Sequence, residues 1–333
     1  MAHKARYTGI MLGAVALLAA LTLGSIAVGT VPVSLSEVAG VLGLSNAPVS
    51  DITRSIVLDL RLPRALLALL TGAVLAIVGA LLQTTTRNEL ADPFLFGLSS
   101  GASAGAVLVI TRFGDPLGQM SLPISAFTGG LFSAAAVLLL FHFKKQRAAE
   151  HLILCGLAIS FLFSALTSYF VFSGDQRAAS SVMFWSLGGL GMARWDTLPL
   201  ALLSLLLTGG FVALRWRKLD GLLAGEQTAR SLGIHVDRLR VEAFLCCALS
   251  TALLVAMTGV IGFVGLMVPQ LCRRVVGVRH LTLLPLCAVV GALLLCGGDI
   301  LSRTLLTAQE LPIGIITAGV GGAFMIAMLA TKS

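Results

Sequence analysis

The sequence predicts an all-α integral membrane protein of about ten transmembrane helices, a single transmembrane domain over residues 1–333, and three observations predict it. Hydrophobic residues make up 57% of the chain and charged residues only 11%, a balance outside the range of soluble globular domains. Apolar runs close to the roughly 20 residues that cross a bilayer recur along the whole length. The 23 Lys and Arg sit in short intervals between those runs and divide unevenly between two sides.

Taken in order, the runs are 8–31, 64–84, 95–111, 122–142, 151–172, 197–216, 241–258, 260–276, 281–301 and 312–330. The first follows Lys4 and Arg6; it is too long for a signal-peptide core and has spans after it, so it reads as retained. The seventh and eighth come from one apolar stretch cut at Gly259. With the amino terminus inside, sixteen of the 23 cationic side chains face the cytoplasm, among them Lys144, Lys145, Arg147 and Lys332. Arg54, Arg61, Arg64, Arg112, Arg177, Arg194 and Arg303 fall outside. That division places both termini in the cytoplasm. Trp185 and Trp195 then lie near the outer interface, and Trp216 and Tyr7 near the inner one, as aromatic anchors.

Glycine is abundant, at 36 residues. Gly72 and Gly79, Gly101 and Gly105, and the Gly319, Gly321, Gly322 cluster read as places where helices approach closely, because lipid supplies no hydrophobic drive between them. A short echo links Glu89-Leu90-Ala91-Asp92-Pro93 before the third span with Glu310-Leu311-Pro312 before the tenth, on opposite sides of the membrane. Two inverted halves, spans two to five against seven to ten, would give such an echo.

Leu219–Ile234, LDGLLAGEQTARSLGI, is the one water-facing helical stretch between long spans. Gly225 caps a short helix with Glu226 and Gln227 in its first turn, Glu226 and Arg230 pair four apart, and Gly233 stops it. Leu222, Leu223, Ala229 and Leu232 form its apolar side. Spacing alone leaves two readings open, a docking surface for a cytoplasmic partner and a helix lying on lipid headgroups.

Catalytic motifs are absent. Without GxxxxGK[ST] the chain cradles no nucleotide phosphate, so energy comes from another subunit or from a gradient. There is no HExxH or GxSxG, the five His are scattered, and the six Cys lie in or beside apolar runs without CxxC. The sequence thus predicts no metal site, no disulfide and no bound cofactor. The +8 charge does not form an aromatic-interleaved basic stripe, so nucleic acid is not a partner, whereas the lipid bilayer is. Asp299 and Arg303, four apart at the outer end of the ninth span, are the clearest ionisable pair within a span. An ion-coupled secondary transporter, the alternative reading, needs carboxylates at mid-membrane, and an intramembrane enzyme needs a polar cluster there; the sequence is poor in both.

The residues also carry a resemblance. In the first half it rests on Arg61-Leu62-Pro63-Arg64 before the Gly72-Ala73 span, Gln83, Arg87-Asn88-Glu89-Leu90-Ala91-Asp92-Pro93, and Gly97 with Gly101-Ala102. In the second half it rests on Gly225-Glu226 with Ala229, Leu232-Gly233, the run Gly262 to Pro269, Asp299 with Arg303, and Glu310-Leu311-Pro312-Ile313-Gly314. In this order, and over nearly the whole chain, they resemble the FecCD family, permease subunits of bacterial ABC importers for ferric siderophores, haem and cobalamin.

The resemblance implies the type II ABC importer permease fold, with inverted repeats, in the bacterial inner membrane. It also implies a second permease copy or close paralogue, two ATPase subunits that carry the ATP and Mg, and a periplasmic substrate-binding protein. Position by position, Arg61 and Arg303 correspond to exposed outer cations that dock the binding protein, and Gly225, Glu226, Ala229, Arg230, Leu232 and Gly233 to the ATPase coupling helix. Asn88 and Leu90 correspond to the cytoplasmic gate, with Ala148 and Ala149 in the opposing gate loop. Ser160, Ser164, Thr167 and Ser168 correspond to pathway-lining positions. The sequence departs from the family pattern at Glu89, where Pro is usual, at Gln270, where His is usual, and at Gly321-Gly322-Ala323 in place of Gly-Ala-Pro.

Overall fold

The computed structural model describes residues 2–29, 31–114, 116–144, 148–174, 176–306 and 309–331. Lys145, Arg147 and Lys332, counted above as cytoplasmic, lie outside the described residues, as do the side chains of Lys4 and Arg177. Every regular element among the described residues is helical.

Helix α1 is Ala2–Ala27 and α2 is a short surface helix, Leu35–Val41, started by a reciprocal capping box between Ser34 and Glu37. The central helix α3 runs Asp51–Thr86. It begins thirteen residues before the apolar run at 64 because Ser50 caps its first turn and a π-helical stretch, Ile56–Arg61, carries the chain into Leu62-Pro63. A left-handed Arg87, φ 52°, ends it.

A 3-10 turn, Pro93–Phe96, then a left-handed Gly97, precede α4, Leu98–Phe113. The next helices are α5, Ser121–His142, α6, Ala149–Phe172, α7, Gln176–Ser186, and α8, Leu198–Leu223. Helix α9 is Glu226–Ser231, α10 Val236–Thr258, α11 Val264–Val276, α12 His280–Thr304 and α13 Ile313–Thr331.

Eight of these are long and apolar enough to cross a membrane by themselves. The third and eighth expected spans, α4 and α11, are the short ones; α11 has only 13 residues. Each follows a backbone break, at Gly97 and at Gly259–Phe263, where Phe263 adopts φ 68°.

The short helices mark a repeat. Helix α4 packs on α5, α6 and α10, and α11 packs on α12, α13 and α3. Helix α3 packs on α12 as α10 packs on α5. The two central helices run antiparallel: Arg240 meets the Thr85 carbonyl while Cys247 meets that of Val78. The halves are therefore inverted, α3 to α6 against α10 to α13. This corrects the sequence echo, which set the third span beside the tenth, whereas the packing sets α4 opposite α11.

Small residues bring the backbones together. A Cβ on Gly72 would sit 2.2 Å from the Gly291 carbonyl oxygen, and one on Gly79 1.9 Å from that of Gly265. Gly101 and Gly105 make the same approach to α5. Of the later cluster only Gly321 is a contact, under the Phe263 ring; Gly319 and Gly322 face open space. Trp185 is not an interface anchor but is buried against Ala102, Ala126 and Val255, because α7 turns inward.

Candidate coupling, gate and docking sites

One end of the bundle carries α9. The expected helix over 219–234 is shorter: residues 219–223 complete α8, a Gly225 at φ 105° breaks the chain, and only Glu226–Ser231 forms the separate helix. Gly233, φ 77°, supplies the expected stop. The apolar side divides. Leu222 and Ala229 are buried with Val236, and half-buried Ile234 packs against them, while Leu223 and Leu232 stay exposed, Leu232 at 66%. Gln227, Thr228, Arg230 and Ser231 face outward with Leu232.

The expected Glu226–Arg230 pair does not form. Glu226 Oε1 accepts from Arg240 Nη2 at 2.6 Å, and Arg230 turns to Asp237 at 3.1 Å. Arg240 is fully buried and its charge must be matched, whereas Arg230 is exposed and has little to gain from one carboxylate over another. Arg240 was legible as an anomaly. It lies on the apolar stripe Val236, Ala243, Phe244, Cys247 of α10, and a cation on a buried stripe demands a partner.

The expected gate positions lie where α3 ends. Asn88 Oδ1 accepts from the Leu90 N–H at 2.9 Å, an Asx turn that presents Leu90 to the surface. Gln270 Nε2 donates to the Glu89 carbonyl at 2.8 Å, so two of the three departures from the family pattern touch each other. Gln83 ties the same region to α11, donating to the carbonyls of Gly265 and Leu266 and accepting from Arg273 Nη1 at 2.6 Å. Ala148 is the extended residue before α6 and Ala149, buried, is the first of its first turn.

On α6, Ser160, Ser164 and Ser168 share one face, with Thr167 alongside. Ser164 and Ser168 are exposed, and Ser168 and Thr167 bond back to the carbonyls of Ser164 and Phe163.

At the other end the structure corrects the sequence reading. Arg61 and Arg303, expected as exposed cations, are 7% and 8% exposed. Arg61 Nη1 donates to the Ile26 and Ala27 carbonyls at 2.8 and 2.7 Å, and its Nη2 to that of Val31. Arg303 donates to the Val28 carbonyl at 2.8 Å and to the Ser25 hydroxyl at 2.8 Å, and pairs with Asp299 at 2.9 Å. The cause lies in α1. Its last turn has no basic residue, so its unpaired carbonyls at the negative end of the helix dipole draw cations from α3 and α12. Sequence reasoning also passed over Arg64 as a site residue; it bridges Asp299 and Glu310, each at 2.8 Å. All three arginines line a cleft of about 390 Å³ with Glu310 at its rim.

Among the described residues no group of three or more His, Cys, Asp or Glu is placed to hold a metal ion.

Comparison with known proteins agrees with this architecture. The model of the FecCD transport family matches residues 17–331. The hemin transport system permease protein of Yersinia pestis is 36% identical over 93% of this chain and 92% of its own. The cobalamin import system permease protein of Halobacterium salinarum is 38% identical over 84% of this chain and 75% of its own. A chain in the inward-facing structure of an ABC transporter assigned to the metal-chelate type superposes with a TM-score of 0.84, at 33% identity, over 98% of this chain and 100% of that one. With a family model spanning almost its full length and the inverted helical bundle to match, this chain belongs to the FecCD transport family and is a multi-pass membrane permease.

Proposed function

We propose that the chain is the permease subunit of a binding-protein-dependent ABC importer that brings an iron chelate, a ferric siderophore or haem, or cobalamin into the cytoplasm by ATP-driven alternating access. The observation that carries the proposal is α9. It is anchored on one side by Ala229 and Glu226 and offers Arg230 and Leu232 on the other, a shape suited to a cleft in a cytoplasmic ATPase. Lipid headgroups suit it less well, because a six-residue helix with one outward Leu buries little apolar area in an interface.

The chain works as a pair, with a second copy or a close paralogue. The serine face of α6 lies on a helix that also exposes Phe161 and Tyr169, and polar groups on such a surface favour a water-filled path between two copies over lipid. A large chelate delivered by a binding protein needs shape and weak contacts on that path. The binding protein docks over the arginine cleft, where Arg64 and Glu310 reach the surface and Arg61 and Arg303 set a positive field from below. The chain sits in the bacterial inner membrane with both termini and α9 in the cytoplasm, in line with the excess of Lys and Arg there. ATP and Mg belong to the ATPase subunits, and this chain performs no catalysis.

Reconstitution decides the matter. Proteoliposomes holding the pair, its ATPases and its loaded binding protein take up labelled haem, ferric siderophore or cobalamin only with ATP inside. Uptake by the permease alone that follows an imposed proton or sodium gradient would establish the secondary-transporter alternative instead.

A further inference from the structure

Two polar struts leave the last turn of α3, and both end on the segment that carries α9. The Thr85 carbonyl accepts from Arg240 Nε at 3.1 Å, and the same guanidinium gives Nη2 to Glu226 at 2.6 Å. One residue earlier, Thr84 Oγ1 lies 3.0 Å from His280 Nε2, and His280 Nδ1 lies 2.6 Å from Asp220 in the last turns of α8. Past Thr86 the chain turns left-handed at Arg87 and enters the Asn88–Leu90 turn.

A buried arginine beside a helix end has a plain explanation, satisfaction of a terminal carbonyl, and Thr85 alone meets it. The second end of the strut is left over. Glu226 is the first residue of a helix that, Ala229 apart, faces outward, and only a planar fork with donors on several sides reaches both acceptors; a lysine does not. Because Arg240 has no exposed surface, sliding α9 away from α3 would take away the carboxylate 2.6 Å from Nη2 and leave Asp237, 3.5 Å from Nη1 and already shared with Arg230, as a poorer match for a buried charge. The cheaper course is for α9, α10 and the end of α3 to move as one body.

We infer that Arg240 is a positioning residue that carries displacement of α9 to the Asn88–Leu90 turn, with Asp220–His280–Thr84 as a second strut on the same turn of α3. This rests on the importer reading, in which a partner ATPase pushes α9. It adds that the gate is driven through the end of α3, by a bond within this chain, rather than through the loop after α9 alone.

The test uses the full reconstituted complex, with spin labels at Thr228→Cys on α9 and at Glu89→Cys in the gate turn, each measured between the two copies with and without a non-hydrolysable ATP analogue. With Arg240 present both distances shift. In Arg240→Met the α9 distance still shifts, the gate distance does not, and transport per ATP falls about ten-fold or more. Arg240→Lys, which keeps the charge but reaches one acceptor, falls between. If Arg240→Met fails to assemble, Glu226→Ala carries the same readouts, and Glu226→Gln, whose amide oxygen still accepts, restores coupled movement. Labels that move together in Arg240→Met and Glu226→Ala, with transport per ATP within about two-fold of the unsubstituted complex, overturn the inference. A complex with Arg240 intact that shows no ATP-dependent shift at position 228 overturns the importer reading, and the inference with it.

Discussion

The buried cations Arg61, Arg240 and Arg303 of this bundle are each held by carbonyl or carboxylate oxygens in place of water. Arg61 and Arg303 hold the end of α1, so replacing either with Ala leaves buried carbonyl oxygens without donors and costs about 1–3 kcal/mol. Thermal unfolding of the purified protein in detergent checks this, with a lower midpoint expected for Arg61→Ala and Arg303→Ala. Arg61→Glu with Arg303→Glu sets carboxylates against those same carbonyls, so under the proposed function its weakened binding-protein docking counts as a docking effect where ATPase still co-purifies and the thermal midpoint shows the fold retained. Gln270→Leu removes the amide that holds the Glu89 carbonyl, and the expected outcome is a looser Asn88–Leu90 turn, seen as faster thiol labelling of Leu90→Cys. At this scale the sequence spoke clearly where partners are local. Asp299 and Arg303, four apart on one helix, do pair. It was silent where partners are remote: Glu226 passes over the neighbouring Arg230 for Arg240, and Arg64 reaches Glu310 across the fold.

Helix boundaries follow a similar rule. Apolar runs located the long helices, since composition alone distinguishes them, but missed the polar first turns of α3, which Ser50 caps, and the last turns of α8, which continue through Arg215, Lys218 and Asp220. Glycine spacing was informative only where a partner backbone lies opposite, which one chain of letters does not reveal. Gly79→Ala drives a methyl into the Gly265 carbonyl and forces α3 from α11; the expected result is loss of folded protein on size exclusion. Gly322→Ala, which meets open space, leaves the elution profile unchanged. The inward turn of α7 was not legible either, because Trp185 looks like an interface residue until its neighbours Ala102 and Val255 are seen.

For the whole molecule, the exposed serine face of α6 makes a sided prediction. Under the proposed function, Ser164→Cys in the assembled complex reacts with a water-soluble maleimide, whereas Ile326→Cys, on the apolar and exposed face of α13, does not. The six native cysteines are buried or half-buried and give a low background. The inverted halves were legible in the sequence, spans two to five against seven to ten matching α3 to α6 against α10 to α13, but the echo that suggested them was not the repeat, because it followed acidic-proline turns while the structure repeats short helices. Those short helices have a further consequence. Each half owns one joint, at Gly97 or at Gly259–Phe263, and because α3 and α10 point in opposite directions the joints open toward opposite faces. Under the proposed function, a tilt of one half against the other moves these two joints in opposite senses, so that narrowing one mouth of the path goes with widening the other.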